Sequence, residues 1–138
     1  MRVTRRKFLI TTMVAAPAIL LPGMATANPH PEIGLIFVGA SWCPVCHAAA
    51  AVLAPAAERS GLDILVASQD GKPIAPWPAF VDARGNRITA SITAIPVLLF
   101  VDLAQGKVLG QIAGFQSPGQ YLGAVRATLA SAVRDTRG

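Results

Sequence analysis

The chain has 138 residues and a mass of 14.3 kDa, enough for one hydrophobic core and too little for two. Twelve Lys and Arg against seven Asp and Glu give +5, but four of the twelve are Arg2, Arg5, Arg6 and Lys7. Beyond residue 27, eight basic residues face seven acidic ones, and a net +1 offers no basic field for nucleic acid. The composition also argues against intrinsic disorder, a disulfide-dense mini-protein and a multi-span membrane protein.

Residues 1–27 read as an export signal. A basic start is followed by Phe8 to Leu21, fourteen residues without a charge, and then by the small-x-small run Ala25-Thr26-Ala27. A membrane span needs about 20 apolar residues, and this run is shorter and carries Pro17. The pattern therefore predicts cleavage between Ala27 and Asn28, with retention as an uncleaved anchor the lesser alternative. Thr4-Arg5-Arg6-Lys7-Phe8-Leu9 resembles the twin-arginine export signal, an ordinary secretory signal being the plainer reading. The mature domain is then residues 28–138, working in the bacterial periplasm.

In chain order, Asn28 to Glu32 is an extended lead-in with Pro29 and Pro31. Gly34 to Gly39 is a continuous apolar run that suits a strand buried on both faces. Pro44 to Arg59 is Ala-rich and predicts a helix, kinked late by Pro55 because its ring clashes with the carbonyl four residues back. Leu62 to Ala67 is a second strand. Ser68 to Asn86, rich in Gly and Pro, is irregular, and a helical turn is expected over Ile88 to Thr93. Val97 to Val101 and Val108 to Ala113 form two strands joined by a hairpin loop over Asp102 to Lys107. Ser117 can cap a final helix, with Pro118 at its first position, Gln120 completing a capping box, and Leu122, Val125, Leu129 and Val133 forming one stripe. The order is β–α–β–(α)–β–β–α, an α/β sandwich.

The only cysteines are Cys43 and Cys46, in Trp42-Cys43-Pro44-Val45-Cys46-His47, where a buried strand turns into a helix. Unpaired N–H groups at a helix start favour a thiolate, so the pattern predicts Cys43 as an exposed nucleophile with a lowered pKa. Cys46, one turn in, faces the core and resolves. A purely structural bridge is the bland alternative, but so short a loop restrains the unfolded chain by only about 2 kcal/mol.

Trp-Cys-x-x-Cys at a strand-to-helix junction, Ile95-Pro96 directly before a strand, and Gly110 to Phe115 leading to a final helix together resemble the thioredoxin superfamily. The resemblance implies a thioredoxin-like fold, a central mixed β-sheet flanked by helices on both faces, and a protein-disulfide oxidoreductase activity. It implies a redox-active disulfide between Cys43 and Cys46 and a cis-proline at Pro96. Trp42, Pro44, Ile95 and Pro96 would contact substrate, with Ile95 pairing its backbone with an extended segment. Substrates would be protein thiols and disulfides, with a membrane redox partner as electron donor or oxidant. No cofactor, metal or nucleic acid is implied, and the chain would act as a monomer. Gln69-Asp70-Gly71-Lys72, Trp77-Pro78 and Ile95 to Asp102 resemble exported proteins of conjugative-transfer and type IV secretion systems. The likeness also extends to periplasmic thioredoxins that serve cytochrome maturation. Ile95-Pro96 tilts the reading slightly toward a reductase. Phe37 stands where many thioredoxins carry a buried acid, and Ala51 where they carry a helix proline.

Three rivals compete for these residues. Cys43-Pro44-Val45-Cys46-His47 satisfies the attachment motif of c-type haem, but Met1, Met13 and Met24 all lie in the leader and only His30 remains as a second axial ligand. Zinc would need His30, Cys43, Cys46 and His47, with adjacent Cys46 and His47 poorly placed for a tetrahedron. A redox-inert binding module would keep the fold without the chemistry. His47 reads as a solvated first-turn residue, or as a group tuning Cys43. Trp42 reads as a docking or a core aromatic, and Trp77 and Phe80 as core filling.

Overall fold

The computed structural model describes residues 29–137, so the leader and the Ala27–Asn28 cleavage position lie outside the described residues. Among the described residues, five strands and two α-helices are formed: β1 (Ile33–Gly39), α1 (Pro44–Arg59), β2 (Ile64–Ser68), β3 (Val81–Asp82), β4 (Val97–Asp102), β5 (Lys107–Ala113) and α2 (Pro118–Arg137), with a 3-10 helix at Ala83–Gly85. They build one mixed sheet in the order β3-β2-β1-β4-β5. β1 is central, parallel to β2 (Leu35↔Ile64 to Gly39↔Ser68) and antiparallel to β4 (Ile33↔Asp102 to Val38↔Val97). A central strand has no wet face, which is why its sequence is apolar throughout rather than alternating.

Alternation sorts the side chains between two layers. Leu35 and Phe37 of β1, Val66 of β2 and Leu98 and Phe100 of β4 pack against Cys46, Ala49, Ala50 and Leu53 of α1 and Tyr121, Val125, Ala132 and Val133 of α2. Both α-helices therefore share one face. On the other, Ile36, Val38, Ala67, Val97, Leu99 and Val101 are covered by Ala83 of the 3-10 helix and by Ile88, Ile92 and Ile95. Where a helical turn is expected over Ile88 to Thr93, a run of turns forms slightly earlier, over 87–91, with a single i→i−4 bond from Ala90 N–H to the Asn86 carbonyl at 2.8 Å. The two-residue strand β3 inside the irregular stretch was not predicted; it is too short to show alternation and exists because β2 offers it a parallel edge.

Helix α1 starts at Pro44 and continues through Pro55, which, like Ala51 four residues back, is exposed. The carbonyl that Pro55 leaves without an intrahelical donor is thus on the solvent side, where water can satisfy it. The helix stops at Gly61, whose φ of +66° places it in the left-handed region. Gly61 N–H donates to Glu58 and Leu62 N–H to Ala57, the paired bonds of a glycine-terminated helix. At the start of α2, the Ser117 hydroxyl accepts from Gln120 N–H at 3.4 Å. Among the described residues no helix is long and apolar enough to cross a membrane.

Pro55→Ala restores one helical hydrogen bond at an exposed site. It should raise stability by about 1–3 kcal/mol, read from the denaturant midpoint. Phe100, wholly buried in β4, should cost about 3–5 kcal/mol when cut to Ala.

Candidate active site

Three chain segments meet at one end of the sheet. β1 and β2 run parallel and end side by side at Gly39 and Ser68, and the antiparallel β4 begins beside them at Val97. The residues just beyond these ends are Ala40 to Cys43, Gln69 to Gly71, and Ile92 to Pro96. Open α/β sheets carry their sites at the carboxyl ends of parallel strands.

Cys43 and Cys46 are joined in a disulfide, their Cα atoms 5.2 Å apart. Cys43 is the N-cap of α1, and its sulfur accepts the Cys46 backbone N–H at 3.1 Å. A sulfur thus occupies the place where Ser or Asp oxygen ordinarily satisfies a helix N-terminus. Cys46 is fully buried and Cys43 is 5 % exposed. The expectation of an openly exposed Cys43 is corrected in degree: bonded to Cys46, its sulfur turns inward onto the first turn of the helix.

What is open is the rim. Trp42 is 69 % exposed and Val45 44 %, with Pro44 also exposed. Trp42 is therefore not a core aromatic. Ile95 is half-buried and Pro96 buried, and the bond between them is cis. A second cis bond joins Ala75 and Pro76.

Beneath the disulfide the surroundings are apolar. A Cβ added to Gly39 would lie 3.2 Å from the Cys46 sulfur, 3.1 Å from Phe37 Cε1 and 3.2 Å from Ile74 Cδ1, so any larger residue would press on its neighbours. Phe37 is wholly buried and meets the Trp77 ring at a centroid distance of 5.1 Å. Trp77 and Phe80 are partly buried against the same core, as expected. The one buried carboxylate among the described residues, Asp102, pairs with Ile33 at the other end of β1.

A polar network that the sequence reading did not anticipate holds the dithiol loop. Asp70 accepts the Ser41 hydroxyl in a short hydrogen bond, Ser41 N–H at 3.2 Å and the buried Ser68 hydroxyl at 2.8 Å. Partial desolvation of the Asp70 carboxyl works to raise its pKa, but the donors from Ser41 and Ser68 outweigh it and bring the group down to about 2. From the other side, His47 Nε2–H donates to the Ser41 carbonyl at 2.6 Å; the carbonyl can only accept, which fixes the proton on Nε2. His47 is half-buried, not freely solvated. Gln69 N–H donates to the Gly39 carbonyl at 2.8 Å, and its side-chain Nε2 to the Ile92 carbonyl at 2.7 Å. The legible signal for this network was a polar pair, Gln69-Asp70, placed directly after a buried strand.

Among the described residues, no three His, Cys, Asp or Glu side chains cluster to hold a metal. The residues do not fit c-type haem either: Cys46 is sealed in the core, the two sulfurs are bonded to each other, and His47 is engaged with Ser41.

A family model described as TraF, F plasmid transfer operon protein, matches residues 25–120, more than two thirds of the chain. The chain belongs to the TraF family. Solved structures similar to this TraF-family chain include a candidate thiol:disulfide interchange protein DsbE from Chlorobium tepidum, at 18 % identity and a TM-score of 0.54 over 74 % of this chain and 80 % of that one. Schistosoma mansoni thioredoxin pre-protein aligns at 14 % identity and a TM-score of 0.51, over 70 % and 79 %. MTB dsbF aligns at 18 % and 0.50, over 70 % and 81 %. At these identities the likeness is one of fold: the TraF-family chain carries a thioredoxin-like, thiol–disulfide oxidoreductase-like fold with a close Cys-x-x-Cys pair. No curated protein matches it.

The folded-state pKa of Asp70 lies below the ordinary 3.8, so its contribution to stability is present above that value and is lost as pH falls toward about 2. Asp70→Asn should flatten this acid limb, seen by comparing urea midpoints at pH 6 and near pH 2.

Proposed function

We propose that this protein is an exported thiol–disulfide oxidoreductase that exchanges disulfides with protein substrates in the periplasm, with a slight preference for the reductase direction. The observation that carries the reading is the Cys46 N–H aimed at the Cys43 sulfur, 3.1 Å away. In the reduced protein this donor and the first turn of α1 favour a Cys43 thiolate over a thiol. Cys46, in an apolar pocket, keeps its proton until it is needed.

In the reductase direction, the Cys43 thiolate attacks one sulfur of a substrate disulfide. The substrate S–S bond breaks, its second sulfur leaves as a thiolate, and Cys43 is held in a mixed disulfide. Cys46 then attacks the Cys43 sulfur and the first substrate sulfur departs. The substrate gains two electrons, one proton from Cys46 and one from solvent, and Cys43–Cys46 is oxidised. With Phe37 beside Cys46 in place of a carboxyl, the departing substrate thiolate is the base at hand for the Cys46 proton. A membrane electron donor would restore the dithiol; run in reverse, with an oxidant as partner, the same steps insert disulfides. Trp42, Pro44 and Val45 would form the docking rim, and the Ile95 backbone beside Pro96 would pair with an extended substrate segment. The protein would act as a monomer without metal or cofactor, delivered by the twin-arginine-like leader of residues 1–27 and cleaved after Ala27.

Cys46→Ala should accumulate mixed disulfides through Cys43, and Cys43→Ser should abolish insulin reduction. Equal, peptide-like alkylation rates at the two reduced cysteines would refute the assignment. Export is checked separately, by amino-terminal sequencing of periplasmic protein, expected to begin at Asn28.

A further inference from the structure

The Gln69-Asp70 pair lies outside the dithiol and outside the docking rim, yet its two side chains reach the two loops between which a substrate would sit. Asp70 takes both donors of Ser41, two residues before Cys43. Gln69 donates to the carbonyl of Ile92, three residues before Ile95. Both are fixed at their base: Gln69 N–H is bonded to the Gly39 carbonyl, and the buried Ser68 hydroxyl donates to Asp70 and accepts Lys72 N–H at 3.1 Å. Adjacent residues on one rigid strand end thus grip segments 29 residues upstream and 23 residues downstream. His47 completes the grip on Ser41 from α1.

We propose that Gln69 and Asp70 are positioning residues with divided roles: Asp70, through Ser41, sets the reacting sulfur on the helix terminus, and Gln69, through Ile92, sets the substrate-docking loop. The proposal rests on the dithiol-exchange reading above for its kinetic consequences, but not for its physical ones. Removing the Asp70 brace frees Ser41 to drift, and Cys43 Sγ loses its alignment with the helix N–H groups. Removing the Gln69 amide leaves the sulfur where it was and loosens the loop that an extended substrate pairs with.

The test uses the mature protein, reduced, with three readouts: the pH profile of Cys43 alkylation by iodoacetamide, KM and kcat for a disulfide-bonded peptide, and amide hydrogen exchange at 41–43 and 92–95. Asp70→Ala should slow Cys43 alkylation at pH 7 about fivefold to tenfold and move its midpoint to higher pH, with KM held within about twofold. Asp70→Asn, which keeps an acceptor for Ser41, should recover most of that rate. Gln69→Ala and the similarly sized Gln69→Glu, which has no donor for Ile92, should both raise KM about fivefold with kcat and the alkylation profile unmoved. Exchange should quicken at 92–95 in the Gln69 variants and at 41–43 in Asp70→Ala. Faster alkylation in both Asp70 variants would show that the carboxylate acts through its charge, and would overturn the positioning role. Equal effects of Gln69 and Asp70 variants on every readout would overturn the division of labour. An inactive wild type would defeat the oxidoreductase reading alone, because alkylation and exchange need no substrate and still decide between these outcomes.

Discussion

The structure turns on a sulfur used as a helix cap. Every α-helix begins with N–H groups that lack partners, and here one of them points at Cys43 Sγ. An oxygen in that place would only end a helix; a sulfur in that place is also a nucleophile whose charged form the helix favours. Pro44 suits the arrangement because the first helical position needs no donor. The placement of the whole chain around this cap can be understood as a means of holding one atom in one orientation.

Two environments meet at that atom. Below it, Gly39, Phe37 and Ile74 crowd the Cys46 sulfur, which is wholly buried in the apolar core. Above it, Trp42 and Val45 stand in solvent, apolar surface of the kind a protein partner covers. The difference between the two cysteines therefore does not come from a large difference in exposure. It comes from which of them faces the helix terminus.

The sheet makes this possible by topology. Because β1 and β2 are parallel, their carboxyl ends and the loops that follow lie at the same edge, and the antiparallel β4 starts there too. The site is assembled from three loops that are distant in sequence but fixed to one rigid layer. Asp70, Ser68 and Ser41 then satisfy one another, so the polar groups brought to this edge do not cost what unpaired ones would.

Much of this was written locally. The continuous apolar run of β1, the Ala-rich start at Pro44, the Ser117 cap and the turn at Asp102 are each readable within a few residues, because backbone preference and capping act over that range. The spacing of Cys43 and Cys46 likewise announced a close pair at a helix start. What the chain could not announce by itself depends on segments far apart meeting in space. The strand at Val81–Asp82 exists only against β2, and which residues cover the second sheet face (Ala83, Ile88, Ile92 and Ile95) was set by packing. Ser41 finds Asp70, and Gln69 finds Ile92, only after the sheet has set their separation. Local sequence placed the two sulfurs at a helix start; tertiary structure decided how deeply they are set and what holds them, because hydrogen bonds between distant loops have no signature until the fold brings their partners within 3 Å or so.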